Sequence, residues 1–482
     1  MKFTIQLLIE DTGRMPLSIP ITTIDRACDA VEDVGLRLQE AKTVLGRLQE
    51  EVVRNQLARH LETNRSCCAC DRQRAVKGYH PLRFRTAFGD ISLRSPRWHA
   101  CGCEGKPEKA TFSPLNAILT THTAPELDFL QSKWAAHLSF AAVADLLQDV
   151  LPVDVRLHAD AVRQHVFATA ERLETELGPE EHHYNDFSQR EIEASPEPGP
   201  PVTVGLDGGY IRGRERAPGA TNCFEVLAGK SIPQEGDAKL FALVRRIDQK
   251  PKRRLHEVLQ AQGVLPRQQL TFLSDGGDNV RQLPAFLHPN SEHILDWFHV
   301  AMRVEQLSQT ARGVREKSAR ITKEEILQQL ARIKWFLWHG NVTEAGETLS
   351  TLIDEIDGAR DDDNGAGRPA HAVLKKLSRA LGEFDTYIAG NANAIVNYGE
   401  RYRCGERIST GFVESTINQV ISKRFVKKQQ MRWTERGAHL LLQVRVNVLN
   451  GDLHKAFQRW HPGLRGCEIF DFPDFLSKNR RS

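Results

Sequence analysis

Two segments of this chain repeat one pattern, and that pattern constrains the fold more than any other feature of the sequence. Each segment is an apolar run that leads to an aspartate and two glycines, at 202–209 and at 270–277. Short apolar runs bounded by turn-forming residues are typical of buried strands. We therefore expect Asp207 and Asp275 to stand at the ends of two strands, each followed by a glycine turn.

Further short strands are predicted around these two. Cys223 to Gly229 and Ala238 to Ile247 follow the first aspartate, and a strand within His293–His299 follows the second. An antiparallel meander and a helix in the interval would allow Asp207 and Asp275 to lie side by side on neighbouring strands. The predicted result is a sheet that carries two carboxylates.

A third acid, Glu414, lies near the start of an amphipathic helix that follows about a hundred residues of helical pattern. Phosphodiester hydrolysis requires charge to be neutralised on the attacking and leaving oxygens, which two Mg²⁺ ions about 3.5–4 Å apart do well. Mg²⁺ prefers carboxylate oxygens. We therefore predict Asp207, Asp275 and Glu414 as catalytic ligands of two Mg²⁺ or Mn²⁺ ions. The alternatives are that the Asp-Gly pairs are only turns, or that Asp278 replaces Asp275.

Four of the nine cysteines form two close pairs that flank a predicted β-hairpin around Phe88-Gly89-Asp90. Two thiolate pairs brought together by a hairpin make a tetrahedral four-sulfur site, which suits structural Zn²⁺. Ordinary buried cysteines are the alternative, and Cys68 and His99 are rival ligands. The predicted zinc ribbon uses Cys67, Cys70, Cys101 and Cys103.

Helical patterns surround this ribbon. Thr23 to Thr63 lacks proline and predicts a helix or helix pair, which either pairs subunits or packs on a neighbouring domain. Phe140–Leu151 and Ala159–Leu177 predict two helices separated by Pro152, and they can be interpreted as a helix-turn-helix or as part of a plain bundle. In the first interpretation Arg163 and Gln164 contact DNA bases.

A basic stretch with interleaved aromatic residues follows Glu414. Such a surface can hold a DNA backbone, although a solvated helix face has a similar composition. The residues predicted to bind DNA here are Lys423, Arg424, Lys427, Lys428 and Arg432.

Composition narrows the class of protein without identifying it. Hydrophobic residues make up 40% and charged residues 26%, and the net charge of +3 is too small to indicate a nucleic-acid binder by itself. No apolar run approaches the roughly 20 residues of a membrane helix. The opening decapeptide is interpreted as a strand and not as a signal peptide. We expect a cytoplasmic, nucleoid-associated bacterial protein with no membrane partner.

The proline-rich segment 195–201 is the clearest linker, because its prolines exclude regular hydrogen bonding. The predicted organisation is a multidomain α+β chain. Its parts are an N-terminal helical region (1–63), a zinc ribbon (64–112), a helix-turn-helix-like domain (113–194), the linker (195–201), a catalytic core in two parts (202–300 and 406–450) around a helical insertion (301–405), and a C-terminal tail (451–482).

Taken together, these motifs resemble bacterial insertion-sequence transposases of the ISKra type, within the DDE class that includes Mutator-like elements. The resemblance covers essentially the whole chain. The residues that carry it are the cysteine pairs, the helix-turn-helix, Val-Gly-Leu-Asp207-Gly-Gly, Ser274-Asp275-Gly-Gly, Asp296-Trp-Phe-His299 and Gly411-Phe-Val-Glu414-Ser.

The resemblance implies an RNase H-like α/β core that is interrupted by an all-helical insertion, here about Ala301 to Tyr402. It further implies that Asp296 and His299, at the end of the strand before this insertion, assist the metal site and the DNA path; a hydrogen-bonded histidine at a strand end is the alternative. By the same likeness, Asp207 bridges both metals, and Asp275 and Glu414 hold one each.

The implied reaction begins with metal-activated water, which cuts the ends of a DNA element. The freed 3′-hydroxyl then attacks target DNA. The implied partners are double-stranded DNA, as the element's terminal repeats and as the target, and further copies of the chain in a homodimer or higher oligomer. A resolvase-like nuclease that does not join ends and a non-catalytic, transposase-derived DNA-binding regulator are the two alternatives.

Overall fold

The structure is a computed structural model of the 482-residue chain. It describes residues 1–11, 13–27, 29–104, 110–153, 156–181, 188–214, 222–277, 287–288, 291–314, 321–362, 368–426 and 431–464. The chain divides into two compact units, Met1–Arg172 with Gly451–Ser482, and Leu173–Asn450. No helix in these ranges is both long enough and apolar enough to cross a membrane.

The first unit opens with an antiparallel pair of strands, β1 (Lys2–Ile9) and β2 (Leu17–Asp25). Helix α1 (Leu38–Thr63) follows, so the helix predicted from Thr23 begins fifteen residues later than expected. The reason lies in the β-branched residues that end β2, which favour an extended chain. The region predicted to be helical therefore includes a β-hairpin.

A three-stranded antiparallel sheet comes next, with β3 (Val76–Thr86), β4 (Gly89–His99) and the short β5 (Thr111–Phe112). Its β3–β4 hairpin pairs Thr86 with Gly89, as the alternation around Phe88 predicted. Apolar residues of α1 and of the hairpin pack into one core. The hairpin is therefore packed on a hydrophobic core that does not depend on a bound metal.

Among its described residues, the first unit also contains three further α-helices and the beginning of a fourth, Ala159–Leu177. Helices α3 (Phe140–Val150) and α4 (Ala159–Leu177) match their predicted bounds to within one residue. They are preceded by α2 (Pro125–Ala135). The predicted tail 451–482 begins with a further helix, Leu453–Trp460, which packs on α2 through Phe457 and Phe129, whose ring centroids are 5.3 Å apart.

The second unit contains a five-stranded mixed sheet in the order β10-β9-β6-β7-β8. Strands β6, β7 and β8 form an antiparallel meander, whereas β9 and β10 run parallel to β6. Helix α6 (Pro251–Ala261) lies between β8 and β9 in the chain and packs on β8. The strands are β6 (Val202–Arg212), β7 (Cys223–Ile232), β8 (Lys239–Val244), β9 (Leu270–Ser274) and β10 (Ser291–Leu295).

Helices follow β10. Their apolar faces share one core with Leu295 of β10, which anchors them to that edge of the sheet. The described part of the predicted insertion, 301–405, contains helices and no strand. Numbered after the six-residue α5 (Gln189–Ala194), these helices are α7 (Trp297–Ala311), α8 (Lys323–Trp338), α9 (Val342–Asp362), α10 (Arg368–Gly390) and α11 (Tyr398–Arg403).

The chain returns to the sheet after α11. Helix α12 (Gly411–Ile417) packs on β6 and β7 and continues into a π-helix, Asn418–Val426. Helix α13 (Glu435–Leu449) then packs on β8, and the helix at Leu453–Trp460 is α14. This return brings Glu414 back to the strand that carries Asp207.

The structure corrects one prediction about β6. The strand does not end at Asp207 but runs on to Arg212, and Gly208 and Gly209 stay paired with β7. The two glycines are therefore not a turn. At Gly209 the missing side chain leaves room for Ile421, whose Cδ1 would lie 2.8 Å from an added Cβ, and a sequence pattern does not distinguish this use of glycine from a turn.

Candidate active site

Asp207 and Asp275 lie side by side. Strands β6 and β9 are parallel neighbours whose pairing runs to Gly205 and Leu273, two residues before the two aspartates, and both aspartates line one small pocket. Asp275 follows the end of β9, and Gly276 takes a φ of +81°, as the predicted glycine turn requires. The structure thus brings together two of the three predicted carboxylates.

The carboxyl of Asp207 lies in a partly buried, negatively charged setting. Burial raises its pKa, and the charges of Asp275 and Asp296 raise it further. The backbone N–H of Gly208, which donates to Oδ1 at 2.7 Å, and the nearby His299 act in the opposite direction. Clustered carboxylates of this kind gain stability from a bound cation.

Asp296 is fully buried directly after the end of β10, where its carboxylate accepts hydrogen bonds from several donors. Its Oδ2 lies 2.7 Å from Nδ1 of His299, and its Oδ1 accepts from the backbone N–H groups of Phe298 at 2.9 Å and Thr410 at 3.1 Å. The Thr410 hydroxyl also donates to Oδ2. The side chain is therefore saturated with hydrogen bonds, which fits a positioning role better than a metal-ligand role.

His299 faces the same acidic group. The hydrogen bond to Asp296 raises the pKa of His299 against the effect of burial, and the charges of Asp207 and Asp275 raise it further. The raised pKa favours the protonated form of His299 beside these carboxylates. The structure therefore places both residues of the Asp296-Trp-Phe-His299 motif beside the two aspartates.

Glu414 is carried over Asp207 by helix α12. Side chains alternate along a strand, so Gly205, Asp207 and Gly209 share one face of β6. A Cβ added to Gly205 would lie 2.3 Å from Cγ2 of Val413, and the far end of α12 covers Gly209. Glu414 is the next residue after Val413, and its side chain is exposed. Helix α12 therefore crosses the face of β6 that bears Asp207, and Glu414 lies at the exposed edge of this contact.

The three carboxylates are nevertheless not as close as the ligands of a single ion. Two other groups of potential ligand atoms in the described part of the chain lie within 4.8 Å of one another, and Asp207, Asp275 and Glu414 do not form such a group.

One of the two compact groups consists of Glu174, Asp248 and His439. The guanidinium of Arg254 already lies among them, 2.8 Å from Asp248 and 2.9 Å from Glu174, and it donates to Gln443 at 2.6 Å. Since a cation already neutralises these carboxylates, we interpret the group as a buried ion-pair network that joins α4, α6 and α13.

The other compact group is the predicted set of four cysteines, Cys67, Cys70, Cys101 and Cys103. Their sulfur atoms approach one another at 3.0 to 3.5 Å in the pairs that are in contact. Hydrogen bonding to Cys103 lowers the pKa of Cys101 to about 7. Cys68 and His99 are not in the group. These four thiols could bind a structural metal such as zinc.

The residues predicted to bind DNA divide by exposure. Arg163 and Gln164 are exposed on α4, where Arg163 pairs with Asp160 at 2.9 Å. Lys423 and Arg432 are also exposed. Lys427 and Lys428 lie outside the described residues. The exposed members remain candidates for contact with phosphates.

The prediction that Arg424 contacts DNA is wrong. Its side chain is fully buried, and its guanidinium lies 5.3 Å from the ring centroid of Trp433. Burial, together with the charge of Arg445, lowers the pKa of Arg424 to about 9. The spacing of basic residues along a helix does not reveal which of them point inward, and this one packs in the core.

Sequence reasoning missed several residues around the acidic cluster. Thr410 precedes α12 and could have been recognised as a helix N-cap, but its hydroxyl contacts Asp296 instead. Tyr387 of α10, Asn391 directly after α10 and Arg303 of α7 come close to the site only because the helices fold back on the sheet. No local pattern marks these three residues.

Comparison with known proteins assigns no family. No protein-family model matches this chain, and no curated protein matches it. The functional conclusion must therefore come from the residues and their geometry.

Proposed function

We propose that this protein is a DNA transposase of the DDE class. One observation carries the proposal: Asp207 of β6 and Asp275, which directly follows the neighbouring parallel strand β9, line one pocket, and the helix that bears Glu414 crosses the face of β6 that bears Asp207. A carboxylate pair with a third acid delivered from a helix suits the cleavage and joining of phosphodiesters.

The sheet supports an RNase H-like core for this enzyme. A three-stranded antiparallel meander is extended by two parallel strands beside β6, which lies at the centre of the sheet. The helices between β10 and α12 then form an insertion that separates Glu414 from the two aspartates along the chain. The helices of this insertion share one apolar cluster, which also includes Leu273, Ile294 and Leu295 at the β9–β10 edge of the sheet.

The donor chemistry fits two Mg²⁺ or Mn²⁺ ions held by Asp207, Asp275 and Glu414. Bound Mg²⁺ would neutralise charge on the attacking and leaving oxygens of the phosphodiester. Asp207 is partly buried next to Asp275 and Asp296, so its ionised form needs a nearby cation.

The remaining parts of the chain have supporting tasks in this proposal. The cysteine group would bind Zn²⁺ and stabilise the β3–β4 hairpin, without a part in the chemistry. Arg163 and Gln164 on α4, with Lys423 and Arg432, would contact the terminal repeats of the element and the target DNA. The active form would be a dimer or higher oligomer on DNA.

The deciding experiment compares the wild type with Asp207→Asn on DNA that carries the ends of the element, with Mg²⁺ or Mn²⁺. We expect the substitution to abolish cleavage and to leave DNA binding in place. Asp237→Asn is the matched control, because Asp237 is an exposed acid of the same unit. Equal cleavage by wild type and Asp207→Asn would refute the proposal.

A second assay separates the related functions. Supplied with pre-cut ends, a transposase joins them to target DNA, whereas a nuclease or resolvase without joining activity leaves them free. A non-catalytic DNA-binding regulator would bind the ends and neither cut nor join. We expect joining that depends on Asp207, Asp275 and Glu414.

A further inference from the structure

We infer that the groove between α7 and α10 binds the sugar–phosphate backbone of the DNA strand that enters the carboxylate site. This inference rests on the proposed function and assigns a task to the helical insertion. The groove has a volume of about 490 Å³. Its polar lining includes Arg303, Gln306, Gln309, Thr310 and Lys376.

The lining has the chemistry that phosphates require. Arg303 and Lys376 supply positive charge from opposite walls, and amide and hydroxyl groups lie between them. The carboxylate in the groove, Glu383, accepts a hydrogen bond from Arg379 at 2.9 Å, so its charge is offset. Arginine, lysine, glutamine and threonine side chains make most contacts to DNA phosphates.

Arg303 connects the groove to Tyr387, which lies near the acidic cluster. The guanidinium of Arg303 lies 3.9 Å from the ring centroid of Tyr387. Burial raises the pKa of Tyr387, and the charges of Asp275 and Asp296 are close enough to raise it further. A strand that lies in the groove would therefore reach the catalytic carboxylates past Arg303.

Helix α10 holds a fixed position relative to Asp275. A Cβ added to Gly276 would lie 2.4 Å from Oδ1 of Asn391, the residue that directly follows α10, so the turn after Asp275 is in contact with the end of this helix. Asn391 is 4% exposed, and its Nδ2 donates to the carbonyl of Tyr387 at 2.8 Å. A phosphate bound in the groove would thus stand at a defined distance from the carboxylates.

The length of the groove agrees with a short stretch of DNA. Arg303 and Thr310 stand about 10 Å apart along α7 at about 1.5 Å per residue. One strand of duplex DNA carries a charge about every 3.4 Å along the axis, so roughly three phosphates face a wall of this length. The groove can therefore hold the backbone next to the cut.

Two adjacent lysines of α10 provide the test. Lys376 lines the groove and Lys375 does not, and both are exposed, so Lys376→Glu and Lys375→Glu change the net charge equally. Binding of the full-length protein to end-bearing duplex is measured over a range of salt concentrations, with no divalent ion added. We expect Lys376→Glu to weaken binding about tenfold and to lower the salt slope by about one.

Lys375→Glu should change the dissociation constant less than about twofold under the same conditions. Lys376→Gln, which removes the charge without reversing it, serves as a milder variant, and thermal unfolding checks that each variant is folded. If the wild type binds and cuts DNA but the two lysine variants bind it equally well, the assignment of the groove is refuted. The proposed function would remain. A wild type that binds no DNA would overturn both.

Discussion

Gly205, Gly209 and Gly229 allow close packing at the centre of the second unit. A Cβ at Gly229 would lie 2.1 Å from Cζ of Phe241, and one at Gly209 would lie 2.8 Å from Cδ1 of Ile421. At any of these three positions, a side chain larger than a hydrogen atom would push a neighbouring residue out of place. The glycines next to Asp207 therefore set how closely α12 approaches it.

We expect Gly205→Ala to lower the free energy of unfolding by about 1–3 kcal/mol, because the new methyl group overlaps Val413. The same change should reduce cleavage, since it displaces the helix that carries Glu414. Gly346→Ala is the control: nothing lies within 4 Å of a Cβ at this position of α9, so a gain of about 0.5–1 kcal/mol is expected. Denaturant unfolding measures both, and equal stability of Gly205→Ala and wild type would contradict the packing argument.

Glu292 of β10 joins the sheet to α11. Both its oxygens accept from Arg401 at 2.8 Å, and Oε1 also accepts from the Thr271 hydroxyl at 2.9 Å. Partial burial acts to raise the pKa of Glu292, but the hydrogen bonds from Arg401 and Thr271 outweigh it and lower the pKa. The ionised form is therefore favoured by folding.

A carboxyl whose pKa is lowered on folding stabilises the protein above its unfolded pKa, and this contribution is lost as the pH falls through the folded value. Glu292→Gln should therefore cost about 1 kcal/mol at neutral pH, a figure reduced for partial exposure of the pair. The difference from wild type should shrink below about pH 4. Thermal unfolding from pH 3 to 7 measures it, and a difference that grows in acid would contradict the prediction.

At the scale of elements, Asp296 fastens two helix starts to the end of a strand. It caps α7 through the N–H of Phe298, and it holds Thr410, the residue before α12, through the backbone and the hydroxyl. The carbonyl of Thr410 in turn accepts a hydrogen bond from the backbone N–H of Glu414 at 3.1 Å. The orientation of Glu414 thus depends on a carboxylate far away in the chain.

Thr410→Val removes the hydroxyl and keeps the side-chain shape and the backbone N–H. We expect it to lower kcat for cleavage at least about tenfold with little change in DNA affinity, and to cost about 1–3 kcal/mol of stability because Asp296 loses a buried donor. Thr410→Ser should restore most of both. Loss of stability with an unchanged kcat would show that the contact does not position Glu414.

The π-helix after α12 explains the second buried arginine of this region. Arg445 of α13 donates through Nε to the carbonyl of Val420 at 2.8 Å, and through a second nitrogen to that of Gln419. Widened turns leave backbone carbonyls that need other donors, and π-helical segments often mark functional sites. This guanidinium therefore acts inside the protein and not on DNA.

At the scale of the whole molecule, the two candidate metal sites belong to different compact units. The four cysteines lie in the unit with Met1–Arg172, and the acidic cluster lies in Leu173–Asn450. Each unit has its own apolar core. A metal lost from one unit should therefore leave the packing of the other intact.

Cys70→Ser should reduce bound zinc from about one ion per chain to well below one, because four sulfur ligands make the site. Cys68→Ser should leave the zinc content unchanged, since the adjacent Cys68 is outside the group. Metal analysis of the purified proteins measures this. Hydrogen exchange should show lost protection around β3 and β4 in Cys70→Ser and unchanged protection in β6 and β9; equal zinc in both variants would contradict the assignment.

The amino-acid sequence by itself determined the features that depend on local patterns. The hairpin around Gly89, the bounds of α3 and α4, the group of four cysteines and the strands that lead to Asp207 and Asp275 all follow from residues near one another in the chain. Periodicity, turn residues and ligand spacing act over a few residues, so they can be recognised without the fold.

Only the tertiary structure decided which residues meet or are buried. It placed Asp275 beside Asp207 in one pocket, turned Arg424 into the core, and joined Thr410 to Asp296 across more than a hundred residues. Burial and long-range hydrogen bonds depend on how elements pack against one another. A one-dimensional pattern does not encode which face of a helix will be covered, so these contacts could be read only from the folded chain.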